Sequence, residues 1–344
     1  MYNLLSAALL DIPVPTPSRS QSTFHLSADA NTRIDRVLSA AWADSTLAQF
    51  RHSISLFINF CDAEQVPFDS RCPASEDLLC VFAASRAGGL SGNTVHNQLM
   101  ALKAWHAFNN AKWQGGSRLH YLLNGVADLT PNSSKLPLRP PVSHSMLSYL
   151  ASSLNSSNHL DVCCLAAATI TFWGQLRLGE ILSPWENLFI ASRVSCRSDL
   201  GTAFNDNGSR RLHLPFTKVK KTRGEDIILC RQADSTDSIS ALAHHLAFNS
   251  FPPEYPLFSY ITITGPRCLT KRKFLSRCNA CWSSAGYPTL TGHSFRIDGT
   301  TEMLLAGVDP NVVKVLGRWS SDSFPHYWRS LELLAPRHVE FLPN

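Results

Sequence analysis

The sequence predicts a mainly α-helical fold in two domains, the second of which carries a small β-sheet. Three observations predict it. Apolar residues recur at helical spacing over most of the chain, two short aliphatic runs lie between residues 211 and 230, and a stretch rich in proline and serine, TPNSSKLPLRPP, interrupts the pattern at residues 130–141. With 344 residues, 44% of them hydrophobic and 17% charged, the chain can bury two cores.

The elements follow in order. Residues 1–28, with scattered prolines and serines, read as a flexible lead. Residues 29–130 read as an all-α domain, with helical patterns in DSTLAQFRHSISLFINFCDAEQ, in SEDLLCVFAASRAGG with Ser75 as its cap, and in SGNTVHNQLMALKAWHAFN. Its aromatics Trp42, Phe50, Phe57, Phe60, Trp105 and Phe108 read as core rather than as platforms for stacked bases. Residues 131–142 read as a linker and 143–344 as the second domain. There the helix HLDVCCLAAATITFW runs into GQLRLGEIL, where Arg177 and Glu180 stand one turn apart. The strands RLHLPFTK and EDIILC form a hairpin, and helices then run to the end.

The last of these helices set the spacing of the charged and aromatic residues. His293 and Arg296 share a face of a helix whose apolar stripe ends at Gly307. Asp309 caps a second helix opened by Pro310 and stopped by Gly317. A third begins near Asp322 and carries Tyr327 and Trp328, so Arg318 and Trp319 fall in the junction.

Charge and composition narrow the function. Residues 1–135 hold ten Lys+Arg against ten Asp+Glu, and residues 136–344 hold 21 against 16, which accounts for the formal net charge of +5. The excess concentrates in SRRLHLPFTKVKKTRGE and KRKFLSR, so Lys220, Lys221, Arg223, Lys271, Arg272 and Lys273 are candidate contacts to a polyanion. No membrane span is expected, because LAAATITFW is too short, and YNLLSAALLDIPVP lacks the basic residues of a secretory leader. Ten cysteines scattered through a chain of this size fit a reducing, intracellular compartment better than a disulfide framework. The pair Cys278 and Cys281 has no second C-x-x-C to complete a zinc site. Neither a phosphate-binding G-x-x-x-x-G-K-[ST] loop nor a G-x-S-x-G elbow is present, so nucleotide hydrolysis and serine-hydrolase chemistry lack a handle.

Taken in order, Arg177, Lys218 in a hairpin, His293-x-x-Arg296, Trp319 after a Leu-Gly turn and Tyr327 resemble the active-site series of the tyrosine recombinases, the phage integrase family. LGRWSSDSF followed by HYWR resembles the recombinase-like proteins of fungal genomes and mobile elements in particular. The resemblance covers roughly residues 30–335. It implies a two-domain tyrosine-recombinase architecture, with an α-helical core-binding domain that clamps duplex DNA against a mixed α/β catalytic domain. The implied activity is site-specific DNA strand breakage and rejoining through a 3′-phosphotyrosine intermediate, without metal or other cofactor, by a homo-tetramer on paired DNA sites, in the nucleus if the host is eukaryotic.

The chemistry explains the residue types. Two guanidiniums, Arg177 and Arg296, can clamp the non-bridging oxygens of a phosphodiester and stabilise the charge added in the transition state. Tyr327 is the nucleophile implied, and His293 can help take the proton of its phenol, whose ordinary pKa is about 10. Lys218 can protonate the leaving oxygen, with Lys220 and Lys221 near enough to compete for that role. Trp319 packs on the site with its indole N–H toward a phosphate oxygen. Arg318, nine positions before Tyr327, is the alternative for that place, and Glu180 supports Arg177. Two other functions share these residues: a DNA-binding descendant of a mobile-element recombinase that has lost cleavage, and a type IB topoisomerase-like nicking and rejoining enzyme.

Overall fold

The computed structural model of the chain describes residues 27–134, 140, 142–217, 220, 223–292 and 294–319. The greater part of the lead, most of the linker's second half, Lys218, Lys221, His293, and the C-terminal helix expected to carry Tyr327 lie outside the described residues. The fold is mainly α with small antiparallel sheets, and the chain divides into two compact units, Met1–Pro137 and Leu138–Asn344.

The described part of the first unit contains helices α1 (Ala28–Ser39), α2 (Asp44–Ala63), α3 (Glu76–Ala84), α4 (Gly92–Phe108) and α5 (Ser117–Asp128). Ser75 and Ser91 cap α3 and α4, each accepting a backbone N–H three residues on. Leu47, Ile54 and Phe57 of α2 bury against Leu99, Leu102 and Trp105 of α4. The six aromatics singled out above all belong to this core or pack against it, and Phe57 stands edge-on to Phe82 with ring centroids 5.2 Å apart. Helix α5 buries Leu119 and Val126 and packs Leu122 and Leu123 on the same core, an apolar stripe at i, i+3, i+4 and i+7. Its first turn is held from outside, where Glu76 Oε1 accepts the N–H groups of Gly116 and Leu119 at 2.8 and 3.1 Å.

The second unit is built around α7 (His159–Trp173), which follows α6 (His144–Ser153). Asn158 caps α7 by accepting from Leu160 and Asp161. Every residue from Val162 to Phe172 except Leu165 is buried, which the unbroken apolar run of the sequence requires. After the short α8 (Leu178–Ile181) come strands β1 (Leu200–Ala203), β2 (Arg210–Leu214) and β3 (Glu225–Leu229), paired antiparallel in that order. The hairpin register sets Leu214 opposite Glu225, so the two strands are shorter, and the loop between them longer, than the sequence pattern predicts. Helix α9 (Ser238–Phe248) leads to a second hairpin of β4 (Ser259–Thr262) and β5 (Gly265–Cys268). The sequence pattern predicts helices there; Pro266 within β5 masks the strand signal.

Helices α10 (Lys271–Ser284), α11 (Ser294–Leu305) and α12 (Pro310–Leu316) complete the described chain. Helix α11 crosses α7 at Gly299, where a Cβ would collide with the Phe172 carbonyl oxygen. Asp309 caps α12 by accepting from Asn311 N–H at 2.7 Å, Pro310 opens it, and Gly307 takes the left-handed conformation between the two helices at φ +82°. Cys278 and Cys281 belong to the core with Cys163 and Cys164, and Cys196 and Cys268 are also buried, whereas Cys230 is exposed. Among the described residues no helix is long and apolar enough to cross a membrane.

Helices α7 and α10 are tied by Arg277, whose Nε and Nη2 donate to the two carboxylate oxygens of Asp161 at 2.7 and 2.8 Å. Burial alone would raise the Asp161 pKa, but the Arg277 hydrogen bonds and the Asn155 N–H outweigh it and hold the carboxyl below the usual range. A lowered folded pKa stabilises the fold above the unfolded value of about 3.9, and that contribution is lost as pH falls through the folded value. Asp161→Asn should therefore lower stability by about 2 kcal/mol at neutral pH. In urea titrations at each pH its deficit against the wild type should shrink below pH ~4.

Candidate active site

The site assembles where α7 ends. Gly174 closes the helix at a point where a Cβ would meet Ile170 O at 2.7 Å, and Gln175 then turns the chain by taking a left-handed φ of +48°. That turn places Arg177 as the residue before α8, with its side chain beside Glu180. Arg177 Nη1 donates to Glu180 Oε1 at 2.8 Å, and the Arg177 backbone N–H donates to Oε2 at 3.1 Å. The Glu180 side chain is only 4% exposed, whereas that of Arg177 is 29% exposed. Arg177 therefore keeps a face open to an anion.

Glu180 has a second cation. Arg318 Nη2 donates to its Oε2 at 2.9 Å, and Arg318 Nε lies 3.6 Å from Glu225 Oε2 at the loop end of the β2–β3 ladder. The other oxygen of Glu225 lies 3.7 Å from Lys220 Nζ. Positive and negative groups thus alternate from Arg177 through Glu180, Arg318 and Glu225 to Lys220. Burial pulls the Arg318 guanidinium below the usual arginine range, an effect that Glu180 and Glu225 oppose. An arginine remains charged through a shift of this kind.

Arg296 occupies a different environment. It is 1% exposed, and its Nη1 and Nη2 donate to the backbone carbonyls of Gln175 and Gly317 at 3.0 and 2.7 Å. The Trp319 ring covers it, with the guanidinium carbon 4.0 Å from the ring centroid. The Trp319 indole N–H donates to Gln175 Oε1 at 3.3 Å, so this donor is engaged inside the fold rather than turned toward a ligand. Thr300 Oγ1 donates to the same amide oxygen at 2.8 Å. Gly317 has no room for a side chain, because a Cβ would collide with Trp319 Nε1 and Gln175 Oε1. The left-handed residue after α12 is Arg318, at φ +56°, while Gly317 keeps a right-handed φ of −76°.

Of the residues expected at the site, Arg177, Glu180, Arg296, Arg318, Trp319 and Lys220 come together around the α7–α8 turn and the end of α12. Lys271, Arg272 and Lys273 are exposed on the first turn of α10, and Arg223 is exposed at the hairpin tip. Gly292 packs beside this group, since a Cβ there would meet Leu178 Cδ1 and Lys271 Cε, each at 2.9 Å. A cleft of ≈ 820 Å³, lined by Gly179, Trp185, Phe216, Lys271 and Arg272 among others, adjoins α8. Lys218, Lys221, His293 and Tyr327 lie outside the described residues.

Sequence reasoning missed Gln175 and Glu225. An isolated amide at the end of an otherwise apolar helix was the available signal for Gln175; Glu225 had none, because its partners are distant in sequence.

No family model matches the chain, and no curated protein sequence matches it. Solved structures do. The XerH site-specific recombinase bound to a palindromic difH substrate, in a post-cleavage complex, aligns over 97% of this chain and 93% of its own at 14% identity and a TM-score of 0.60. The chain has the tyrosine-recombinase fold. The pre-cleavage complex of XerH with difH gives a TM-score of 0.55 at the same identity and coverage. The Tn1549 transposon integrase in complex with transposon right end DNA aligns over 96% of this chain and 93% of its own, at 14% identity and a TM-score of 0.50.

Within the tyrosine-recombinase fold the two arginines differ in what they hold. Arg296→Lys keeps the charge but cannot span both carbonyls, so urea denaturation should show a loss of about 2–4 kcal/mol. Arg177→Lys should cost less than about 1 kcal/mol, because Glu180 keeps Arg318 and the pair removed is partly solvated. Equal losses would contradict this division.

Proposed function

We propose that the chain is a site-specific DNA recombinase that breaks and rejoins strands through a 3′-phosphotyrosine intermediate. The observation that carries this reading is the partly exposed Arg177, fixed by a buried carboxylate next to two further arginines, on the tyrosine-recombinase fold. In this reading Met1–Pro137 contains the core-binding domain at residues 29–130, and residues 143–344 are the catalytic domain. The similar XerH and Tn1549 integrase structures hold DNA, which supports double-stranded DNA as the substrate.

The reaction needs few groups. The Tyr327 hydroxyl oxygen attacks the scissile phosphorus, its proton passing to a base for which His293 is the candidate. The bond from phosphorus to the 5′ oxygen breaks, and a lysine of the β2–β3 loop, Lys218 first among them, protonates that oxygen. Arg177 binds a non-bridging oxygen and stabilises the extra charge of the transition state. The 5′-hydroxyl of a partner strand then attacks the phosphotyrosine and releases Tyr327. A tetramer on two DNA segments supplies that partner strand. Trp319 and Arg296 contribute by bracing the turn that carries Arg177.

Lys271, Arg272 and Lys273 sit at a helix N-terminus, where the helix dipole disfavours cations. A nearby phosphate backbone would offset that repulsion. Replacing all three by alanine should weaken DNA binding for every sequence and make log affinity fall less steeply with log salt, by about 1 in slope for each phosphate no longer neutralised.

A second reading, DNA binding without cleavage, draws support from Arg296, which is buried with both terminal nitrogens on carbonyls. Covalent trapping separates the two. The full chain is incubated with a pool of random-sequence duplexes carrying a nick, and denaturing gels are searched for a protein–DNA band whose DNA is then sequenced. The recombinase reading expects a band from the wild type and none from Tyr327→Phe, which loses one oxygen and should still fold and bind DNA. A Tyr327→Phe chain that is still trapped would move the nucleophile elsewhere, and a wild type that binds DNA but is never trapped would favour the second reading.

A further inference from the structure

Arg318 holds more charge than the phosphate clamp requires. Arg177 alone would neutralise Glu180, yet Arg318 donates to the second oxygen of that carboxylate with a side chain only 8% exposed. A buried arginine is costly unless its partners offset the lost hydration, and a left-handed backbone adds strain. Its other partner shows where that arrangement leads. Glu225 is the first residue of β3 and stands opposite Leu214, where the ladder of the β2–β3 hairpin ends. Beyond that pair, the described residues of the 215–224 loop are held by side-chain and turn contacts: Phe216 lies under the Arg193 guanidinium, and the buried Thr217 accepts the Lys220 N–H and donates its own N–H to the Lys220 carbonyl. The loop carries Lys218 and Lys220, and the Glu225 carboxylate, shared between Arg318 and Lys220, links the described loop residue Lys220 to the arginine cluster.

We propose that Arg318 is a positioning residue: held between Glu180 and Glu225, its guanidinium ties the lysine-bearing hairpin to the arginine that binds the scissile phosphate. The inference rests on the recombinase reading and deepens it. A proton donor works only within hydrogen-bond reach of the leaving oxygen, about 2.6–3.2 Å, so a loop released from Arg318 where it joins β3 would lose that reach while Arg177 stays paired with Glu180. Arg318 touches neither substrate nor reacting atoms in this role.

The test uses the full chain with Arg318→Met, and with Glu225→Gln as a second variant that leaves the buried Arg318–Glu180 pair in place. Hydrogen–deuterium exchange is followed over residues 215–225, with α4 of the other unit as an internal control. Both variants should exchange faster over the hairpin and unchanged over α4. On the duplex recovered from the trapping pool, cleavage should fall about 10- to 100-fold, part of the range a positioned proton donor supplies. Most of that loss should disappear on the same duplex with a 5′-bridging sulfur, a leaving group that needs no proton. A merely structural role for Arg318 would slow both substrates alike. Wild-type exchange at the hairpin in both variants would overturn the tether, and an unrescued sulfur substrate would overturn the positioning role. If the wild type itself never cleaves, the recombinase reading fails and with it the positioning of a proton donor, while hairpin exchange still decides whether Arg318 holds the loop.

Discussion

The second unit depends on one buried cation. Arg296 joins the carbonyl that follows α7 to the carbonyl that ends α12, and it does so where it is only 1% exposed. Each charged hydrogen bond of this kind contributes about 1.5–3 kcal/mol, and an indole stacked on a desolvated guanidinium adds about 2 kcal/mol. The rest of the junction is shaped to allow that contact. Gly317 has no space for a Cβ, Gln175 bends back through a left-handed conformation, and its amide oxygen takes the Trp319 and Thr300 hydrogens. With those two segments locked together, the residues next to them, Arg177 and Arg318, meet across Glu180.

The arginines therefore divide their work by burial. Arg296 directs its terminal nitrogens to the backbone and acts as scaffold. Arg318 is almost as buried and bridges two carboxylates. Arg177, at 29% side-chain exposure, is the one of the three that still faces solvent. Of the three it is the one a polyanion at this surface could reach, with Lys271, Arg272 and Lys273 exposed on α10 near Gly292. Cations at the start of a helix raise its energy, so their placement favours a partner that brings negative charge.

Much of this was legible in the sequence, and the legible part was local. Asp309, Pro310 and Gly307 mark the break between α11 and α12 because capping and left-handed turns are set within a few residues. Arg177 and Glu180 could be paired because three residues is one helical turn. What the sequence hid was contact across distance. Nothing in the neighbours of Glu225 points to Arg318, and nothing near Trp319 points to Gln175, whose amide oxygen takes the indole N–H expected to meet a phosphate while the ring stacks on Arg296. The second hairpin was obscured by Pro266, whereas the stripe of α5 stands in the sequence and only the Glu76 contact at its start does not.

The central claim is that this junction presents a phosphodiester to Tyr327. The most direct measurement is mass spectrometry of the trapped protein–DNA complex after nuclease and protease digestion. The account predicts a nucleotide joined through its 3′ phosphate to the peptide containing Tyr327. An adduct on any other residue, or one joined through a 5′ phosphate, would contradict it.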